Sequence, residues 1–534
     1  MRPDLSGVDP LELNLATRFS VGDMLTRSAQ LFGARTAIVD PSGREVTYAE
    51  LDAAAEACGR GLLDAGVDRQ EPVAFLLGNT WRFAATFFGC AKAGIVALPV
   101  NLMLAPDDIA WILTDSGTRT VVADQAFLPL LEQVLPEVPA VERVVVTGDG
   151  APAEVAGRPV TAWDELAADS TPLQVLVEDR DTLHCLYTSG TTARPKGVLT
   201  SHLSVHVGAL SSALQVGHSR GEEFSISPIV LPLFHTTALD TLLLPLLMTG
   251  GTAVLPAGFE PEAFLDVVEQ RRATHIMLLP MMYAAVLAAP SLPQRNLSSV
   301  RLCIYAMAPM PPERISAIAQ AFPSAKVLLG SGQTECVPAT VFQWPSHQET
   351  KAASWGPSVV TVDTRIMDPA GHLLPAGETG EIVYRGPHVM SGYWNNPAAN
   401  TAAFAHGWLH SGDVGHLDDE GVVWFTDRVK DMVKTGGENV SSVEVERALL
   451  SSSEITEAAV IGVPDDRWGE AVTAVVVAAD PQADAAALAE RLVAHCRSTL
   501  GGFQVPKSVH VVQSLPKTAT GKLQKADLRV QFRG

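Results

Sequence analysis

Residues 73–77, Val-Ala-Phe-Leu-Leu, form an apolar run closed by Pro72 on one side and Gly78 on the other. Its length and flanks predict a buried strand. Residues 81–93 then carry apolar side chains at helical spacing, and Ile95-Val96-Ala97-Leu98-Pro99-Val100 reads as the next strand. Thr120-Val121-Val122-Ala123 and Arg143-Val144-Val145-Val146 repeat the strand pattern. Strands alternating with helices predict an α/β fold with a mainly parallel sheet covered on both faces. With 534 residues the chain is too long for one core, so two or more domains are expected. The last part differs: residues 458–463 and 472–478 are strand candidates and 485–500 a helix candidate, enough for a small α+β domain. The boundary is placed in the charged stretch Arg428 to Asp431, giving a large domain over 1–428 and a small one over 429–534.

A formal charge of −21 argues against general nucleic-acid binding, because a sugar-phosphate backbone would be repelled. An anionic nucleotide would have to be met by local basic groups. Cys58, Cys90, Cys185, Cys303, Cys336 and Cys496 show neither a CxxC pair nor metal-ligand spacing, so reduced, mostly buried thiols in a cytoplasmic protein are expected. Residues 1–20 lack a basic start followed by an apolar stretch, so no signal peptide is expected. The most apolar stretch, 242–255, is broken by Pro245 and Gly250-Gly251, too short and too punctuated to span a bilayer.

The segment from Tyr187 to Val198 reads Tyr-Thr-Ser-Gly-Thr-Thr-Ala-Arg-Pro-Lys-Gly-Val and follows an apolar lead-in at 183–186. Hydroxyls, backbone N–H groups and a mobile cation in one loop can wrap polyphosphate oxygens. The spacing does not fit Gly-x-x-x-x-Gly-Lys-Ser/Thr, since Gly190 lies six residues before Lys196 and Gly197 and Val198 follow where Ser/Thr should stand. It resembles instead the phosphate loop of the acyl-adenylate-forming superfamily, which includes acyl-CoA synthetases, peptide-synthetase adenylation domains and luciferases. Further segments resemble that family in its own order: Val46-Thr47-Tyr48-Ala49-Glu50-Leu51, Ala91-Lys92-Ala93-Gly94, Leu231-Pro232-Leu233-Phe234-His235, Gly330-Ser331-Gly332-Gln333-Thr334-Glu335, Gly407-Trp408-Leu409-His410-Ser411-Gly412-Asp413, Phe425 to Asp431, Lys434 to Val440, and Leu515 to Lys522.

The resemblance implies a multi-sheet large domain, a mobile small domain and a set of roles. Thr188, Ser189, Gly190, Thr191, Thr192 and Thr334 would hold nucleotide oxygens, with Lys196 as the loop cation. Glu335 would hold Mg²⁺ bridging phosphate oxygens, a hard cation suited to one carboxylate plus phosphates. Ala308, Gly330, Ser331 and Gly332 would line the nucleotide, and His235, Ala306, Met307 and Gly332 the acid pocket. Asp413 would accept from the ribose hydroxyls, Arg428 would reach ribose or phosphates, and Lys430 would be the hinge pivot. Gly436 and Gly437 would let pantetheine pass close to the backbone, and Lys522 would bridge carboxylate and α-phosphate.

Two positions depart from the family pattern. Ser331 stands where an aromatic residue usually stacks on adenine, and Met307 where Gly-Gly-Ala-Pro would have glycine. The first leaves adenine to find other apolar walls; the second narrows or reshapes the acid pocket.

The chemistry implied is acid–thiol ligation in two half-reactions: a carboxylic acid, fatty or aryl, attacks ATP to give acyl-AMP and pyrophosphate, and CoA then takes the acyl group. Other readings stay open. A separate carrier protein or another nucleophile could be the acceptor; the chain could be luciferase-like, or a nucleotide-binding regulator without catalysis. In an amino-acid-activating enzyme Asp240 could bind an amine. A homodimer is left open.

Overall fold

The computed structural model describes residues 5–188, 194–221, 223–306, 310–517 and 523–533. They form two compact units: the first takes its residues from 1–188, 195–364 and 384–409, the second from 189–194, 365–383 and 410–534.

In the first unit the predicted strands appear as Pro72–Leu76, Val96–Pro99, Thr120–Asp124 and Arg143–Thr147, and the predicted helix as Trp81–Ala93. Among the described residues one nine-stranded sheet runs in the order 392–393, 196–201, 182–188, 96–99, 72–76, 120–124, 143–147, 158–162, 154–155. Its centre is parallel, from Thr182–Thr188 through to Arg158–Ala162. Lys196–Ser201 then turns back antiparallel to Thr182–Thr188, and Gly392–Tyr393 pairs antiparallel with it in turn. The apolar runs are buried on both faces: Leu76, Leu98, Val121 and Val144 pack under Ile109, Ile112, Leu113 and Leu131, and the alternating Val73, Phe75, Val122 and Val145 are 0–1% exposed.

A second sheet holds His275–Leu278, Leu302–Tyr305, Lys326–Gln333 and Cys336–Phe342. Its first three strands are parallel and the last returns antiparallel. A third sheet joins Ile226–Pro228, Thr252–Val254, Thr36–Val39 and Glu45–Thr47.

Two segments singled out in the sequence prove to be structural. Thr47 caps the helix Tyr48–Asp64 in a reciprocal capping box with Glu50. Lys92, 4% exposed, ties three helices together: its Nζ lies 2.6 Å from Glu56 Oε1, 2.8 Å from Asp52 Oδ1 and 2.5 Å from Thr26 Oγ1.

In the second unit, Val422–Arg428 pairs antiparallel with Leu409–Leu417, in a sheet with Gly380–Arg385 and Asp363–Met367. A further sheet contains Glu438–Val440, Val433–Thr435, Gly469–Ala478 and Ile455–Asp465, with Ser508–Val512 parallel to Gly469–Ala478. Leu488, Leu492 and Cys496 of the helix Ala485–Thr499 pack on its Val460, Val472, Ala474 and Val476. Residues 410–428 of the hairpin group with this unit. The sequence boundary at 428/429 lies at the end of that hairpin.

Among the described residues no helix is long and apolar enough to cross a membrane.

Candidate active site

Thr188 closes one strand and Lys196 opens the next, and the two are paired across the antiparallel ladder. The mouth of the predicted phosphate loop is thus a hairpin end on the central sheet. Ser189, Gly190, Thr191 and Thr192 lie outside the described residues, as do Met307, Ala308 and Lys522. Behind the mouth, the Tyr187 hydroxyl donates to Asp115 Oδ2 at 2.6 Å.

Thr334 and Glu335 form the two-residue turn between Lys326–Gln333 and Cys336–Phe342, with Gln333 paired to Cys336. The turn presents two side chains from one tight bend. Thr334 is buried and Glu335 half-buried. The glycines just before it are required by packing: a Cβ on Gly330 would lie 2.5 Å from the Phe342 ring, and one on Gly332 would lie 2.4 Å from Pro338 O. Both glycines fit the close approach of the hairpin's own strands; neither needs a ligand to account for it. Ser331 is half-buried and Ala306 buried.

The Tyr393 hydroxyl donates to Glu335 Oε1 at 3.0 Å, and Lys196 Nζ stands 4.9 Å from the centre of the Tyr393 ring. The structure therefore joins Lys196 and Glu335, two sequence candidates, through a residue that sequence reading missed. Its signal was the aromatic, turn-rich string Gly392-Tyr393-Trp394-Asn395-Asn396-Pro397. Burial and the neighbouring Glu335 both push the phenol upward, so it stays protonated and can only donate to the carboxylate.

His235 is half-buried, and its Nδ1 accepts from Thr237 N–H at 3.2 Å, with Thr237 Oγ1 at 3.1 Å. With Nδ1 accepting, the tautomer that carries its proton on Nε2 fits these contacts. Asn79 holds the approach to His235 by donating to Leu231 O and accepting from Leu233 N–H, each at 2.8 Å. A π-helical turn, Thr237–Leu243, follows. Asp240 within it is 1% exposed; Thr236 Oγ1 donates to its Oδ2 at 2.8 Å and His184 Nε2 lies 3.3 Å from its Oδ1. Its carboxylate is engaged inside the protein, which removes the ground for reading it as an amine anchor.

In the second unit Asp413 and Arg428 are cross-strand partners, with Arg428 Nε 2.8 Å from Asp413 Oδ1. Ser411 Oγ accepts from Asp413 N–H at 3.0 Å, and Glu381 Oε1 accepts from Gly412 N–H at 2.9 Å. These contacts shape the turn that presents Asp413. Arg529 donates to Lys430 O at 3.1 Å and pairs with Asp431 at 2.8 Å. Gly436 and Gly437, at φ +61° and +89°, make the two-residue hairpin between Val433–Thr435 and Glu438–Val440. Two successive left-handed residues demand glycine there, and a Cβ on Gly437 would meet nothing within 4 Å.

Glu335 suits a magnesium ion shared with a nucleotide. Among the described residues Tyr393 is the only hydrogen-bond partner of its carboxylate, and no cluster of three or more His, Cys, Asp or Glu could cage a metal alone. One carboxylate with phosphates and water is a usual Mg²⁺ donor set.

The sequence profile of the family described as "AMP-binding enzyme" matches residues 25–394, and that of the "AMP-binding enzyme C-terminal domain" matches 444–522. A feruloyl-CoA synthase from Amycolatopsis sp is 36% identical over 96% of this chain and 99% of its own length. The long-chain-fatty-acid–CoA ligase FadD13 of Mycobacterium tuberculosis is 31% identical over 96% of this chain and 98% of its own. Among solved structures, the anthranilate CoA ligase AuaEII in complex with anthranoyl-AMP superposes with a TM-score of 0.85 at 28% identity, covering 96% of this chain and 97% of that one.

Proposed function

This chain belongs to the family of AMP-binding enzymes and is an AMP-forming acid–CoA ligase with ATP and CoA as substrates, and we propose which of its residues carry each half-reaction. The observation that carries the proposal is the joining of Lys196 and Glu335 through Tyr393 beside the mouth of the phosphate loop.

In the first half-reaction two anions must meet, so positive groups decide the rate. Lys196, Arg428 and Lys522 supply that field, while Thr188, Ser189, Gly190, Thr191, Thr192 and Thr334 hold phosphate oxygens. Glu335 would hold Mg²⁺, which when bound neutralises phosphate charge. Asp413 holds the ribose, and Ala308, Gly330, Ser331 and Gly332 border the nucleotide. His235, Ala306, Met307 and Gly332 border the acid, with the His235 proton on Nε2. In the second half-reaction the CoA thiol attacks the acyl carbonyl and AMP leaves. Residues 429–534 then move as a body about Lys430, bringing Gly436 and Gly437 to the thiol in place of Lys522, a gating of successive steps.

The acid is aryl or aliphatic; similarity to both a feruloyl-CoA synthase and a long-chain-fatty-acid–CoA ligase supports that range. Six free, buried cysteines support a reducing, cytoplasmic setting. Turnover of an acid panel with CoA, read by mass spectrometry, identifies the acid; acyl-AMP that passes to a carrier or an amine instead would redirect the second step. Lys522→Ala tests the assignment of steps. It should cut pyrophosphate release by about 10²–10³-fold and spare thioester formation from supplied acyl-AMP. Equal losses in both steps would remove Lys522 from adenylation.

A further inference from the structure

We infer that Tyr393 is a positioning residue that holds the metal-side carboxylate of Glu335 through its hydroxyl and the phosphate-side cation of Lys196 through its ring. The inference rests on the proposed roles of Glu335 and Lys196, and extends them to a residue that touches neither substrate nor metal.

Three separate stretches of chain meet here. Lys196 opens one hairpin strand and Glu335 sits in the turn of another, and the segment 388–394 splices the two. Its first half runs along the Glu335 hairpin, with Val337 N–H donating to His388 O at 3.1 Å and Met390 N–H to Glu335 O at 2.9 Å. Its second half runs along the Lys196 hairpin, with Ser391 N–H donating to Leu199 O and Trp394 N–H to Gly197 O, both at 2.8 Å. Tyr393 is paired with Val198 across that ladder.

The backbone of Tyr393 is secured without its side chain. Asn400 accepts from Tyr393 N–H at 2.6 Å and donates to Tyr393 O at 3.0 Å, imitating a peptide pair. Trp394 Nε1 and Asn395 Nδ2 both donate to Asp115 O, at 2.8 and 3.1 Å. The fold thus fixes where the ring begins, and the side chain is left to act on its neighbours. The hydroxyl occupies Oε1 of Glu335 and sets the carboxylate plane, leaving Oε2 for a metal. An outer partner that orients a metal ligand typically governs metal affinity about 10–100-fold. The ring face draws the Lys196 ammonium, a restraint of about 0.5–1 kcal/mol at a partly exposed site.

Two substitutions separate the two actions. Tyr393→Phe keeps the ring and removes the donor; Tyr393→Leu removes both. Calorimetric binding of α,β-methylene-ATP is measured across a Mg²⁺ series, with urea unfolding to confirm that each variant is folded. Tyr393→Phe should raise the Mg²⁺ concentration for half-maximal binding by about 10-fold, while affinity at saturating Mg²⁺ stays within about 2-fold. Tyr393→Leu should show the same shift and also weaken binding at saturating Mg²⁺ by about 2–5-fold. Glu335→Gln and Lys196→Ala run alongside. If Glu335→Gln shifts the Mg²⁺ series and Tyr393→Phe does not, the inference about Tyr393 is overturned and the reading of Glu335 stands. If Glu335→Gln leaves the series unchanged, that reading fails first and Tyr393 loses its proposed purpose.

Discussion

Among the lysines in segments that resemble the family, Lys92 and Lys196 are treated by the fold in opposite ways. Lys92 is 4% exposed and surrounded by Glu56, Asp52 and Thr26. Lys196 is half-buried at a hairpin mouth and faces an aromatic ring. Lys92 is neutralised within the protein and links helices. On the proposed reading the charge of Lys196 serves an incoming anion. A cation's use is read here from its partners: the ionic set around Lys92 marks architecture, and on the proposed reading the ring contact of Lys196 marks a binding role.

The strongest way to break this contrast is to remove Lys92. Lys92→Met leaves the carboxylates of Glu56 and Asp52 without their cation in a mostly buried site, and taking one member from a buried ionic set costs about 3–5 kcal/mol. Urea unfolding should show that loss while turnover per folded molecule is kept. A stable variant with no turnover would place Lys92 in the chemistry. Lys196→Ala should do the reverse: pyrophosphate release falls about 10²–10³-fold, and the urea midpoint barely moves. If unfolding suffers and the first half-reaction does not, Lys196 is structural after all.

A smaller effect sharpens the comparison with a third kind of buried base, one kept neutral. Burial lowers His202 to about 3 against the opposing pull of Asp181 and Asp23, and lowers His206 to about 4. The unfolded chain binds these protons near pH 6.5 and the fold does not. Their contribution to stability is therefore complete above about pH 6.5 and is lost as pH falls toward 3 to 4. From pH 7 to 5.5 each should cost about 1.2 kcal/mol. His202→Asn keeps an acceptor for Val21 N–H, which His202 Nδ1 now accepts at 3.2 Å, and removes the titration. The fall in unfolding free energy over that interval should shrink by about that amount; an unchanged fall would show that His202 does not titrate there.

The apolar runs at 73–77, 120–123 and 143–146 showed the parallel sheet because burial on both faces leaves an unbroken pattern, and the helix 81–93 appears with the bounds its spacing gave. The loop after Tyr187 and the turn at Thr334-Glu335 were legible as strings, since each is made by consecutive residues. Tyr393 was not, because its meaning lies in a contact 58 residues away. Gly330 and Gly332 were read for a ligand, yet their need comes from Phe342 and Pro338 on the returning strand. Asp240 showed a carboxylate near the right place, and only packing reveals His184 and Thr236 already holding it. Local chemistry is visible along a chain; what occupies the space beside it is not.

The burial of all six cysteines acquires a sharper meaning once the product is a thioester. An enzyme that makes a mixed anhydride and waits for an outside sulfur nucleophile is at risk from its own thiols, which would capture the acyl group first. Burial pushes Cys58 up to about 12 and raises the other five as well. Cys336 follows Glu335 directly in the chain, yet it is fully enclosed, and the adjacent carboxylate disfavours its thiolate further. The protein holds none of its own sulfur in a form that competes with CoA, so it can keep an activated acyl group without labelling itself.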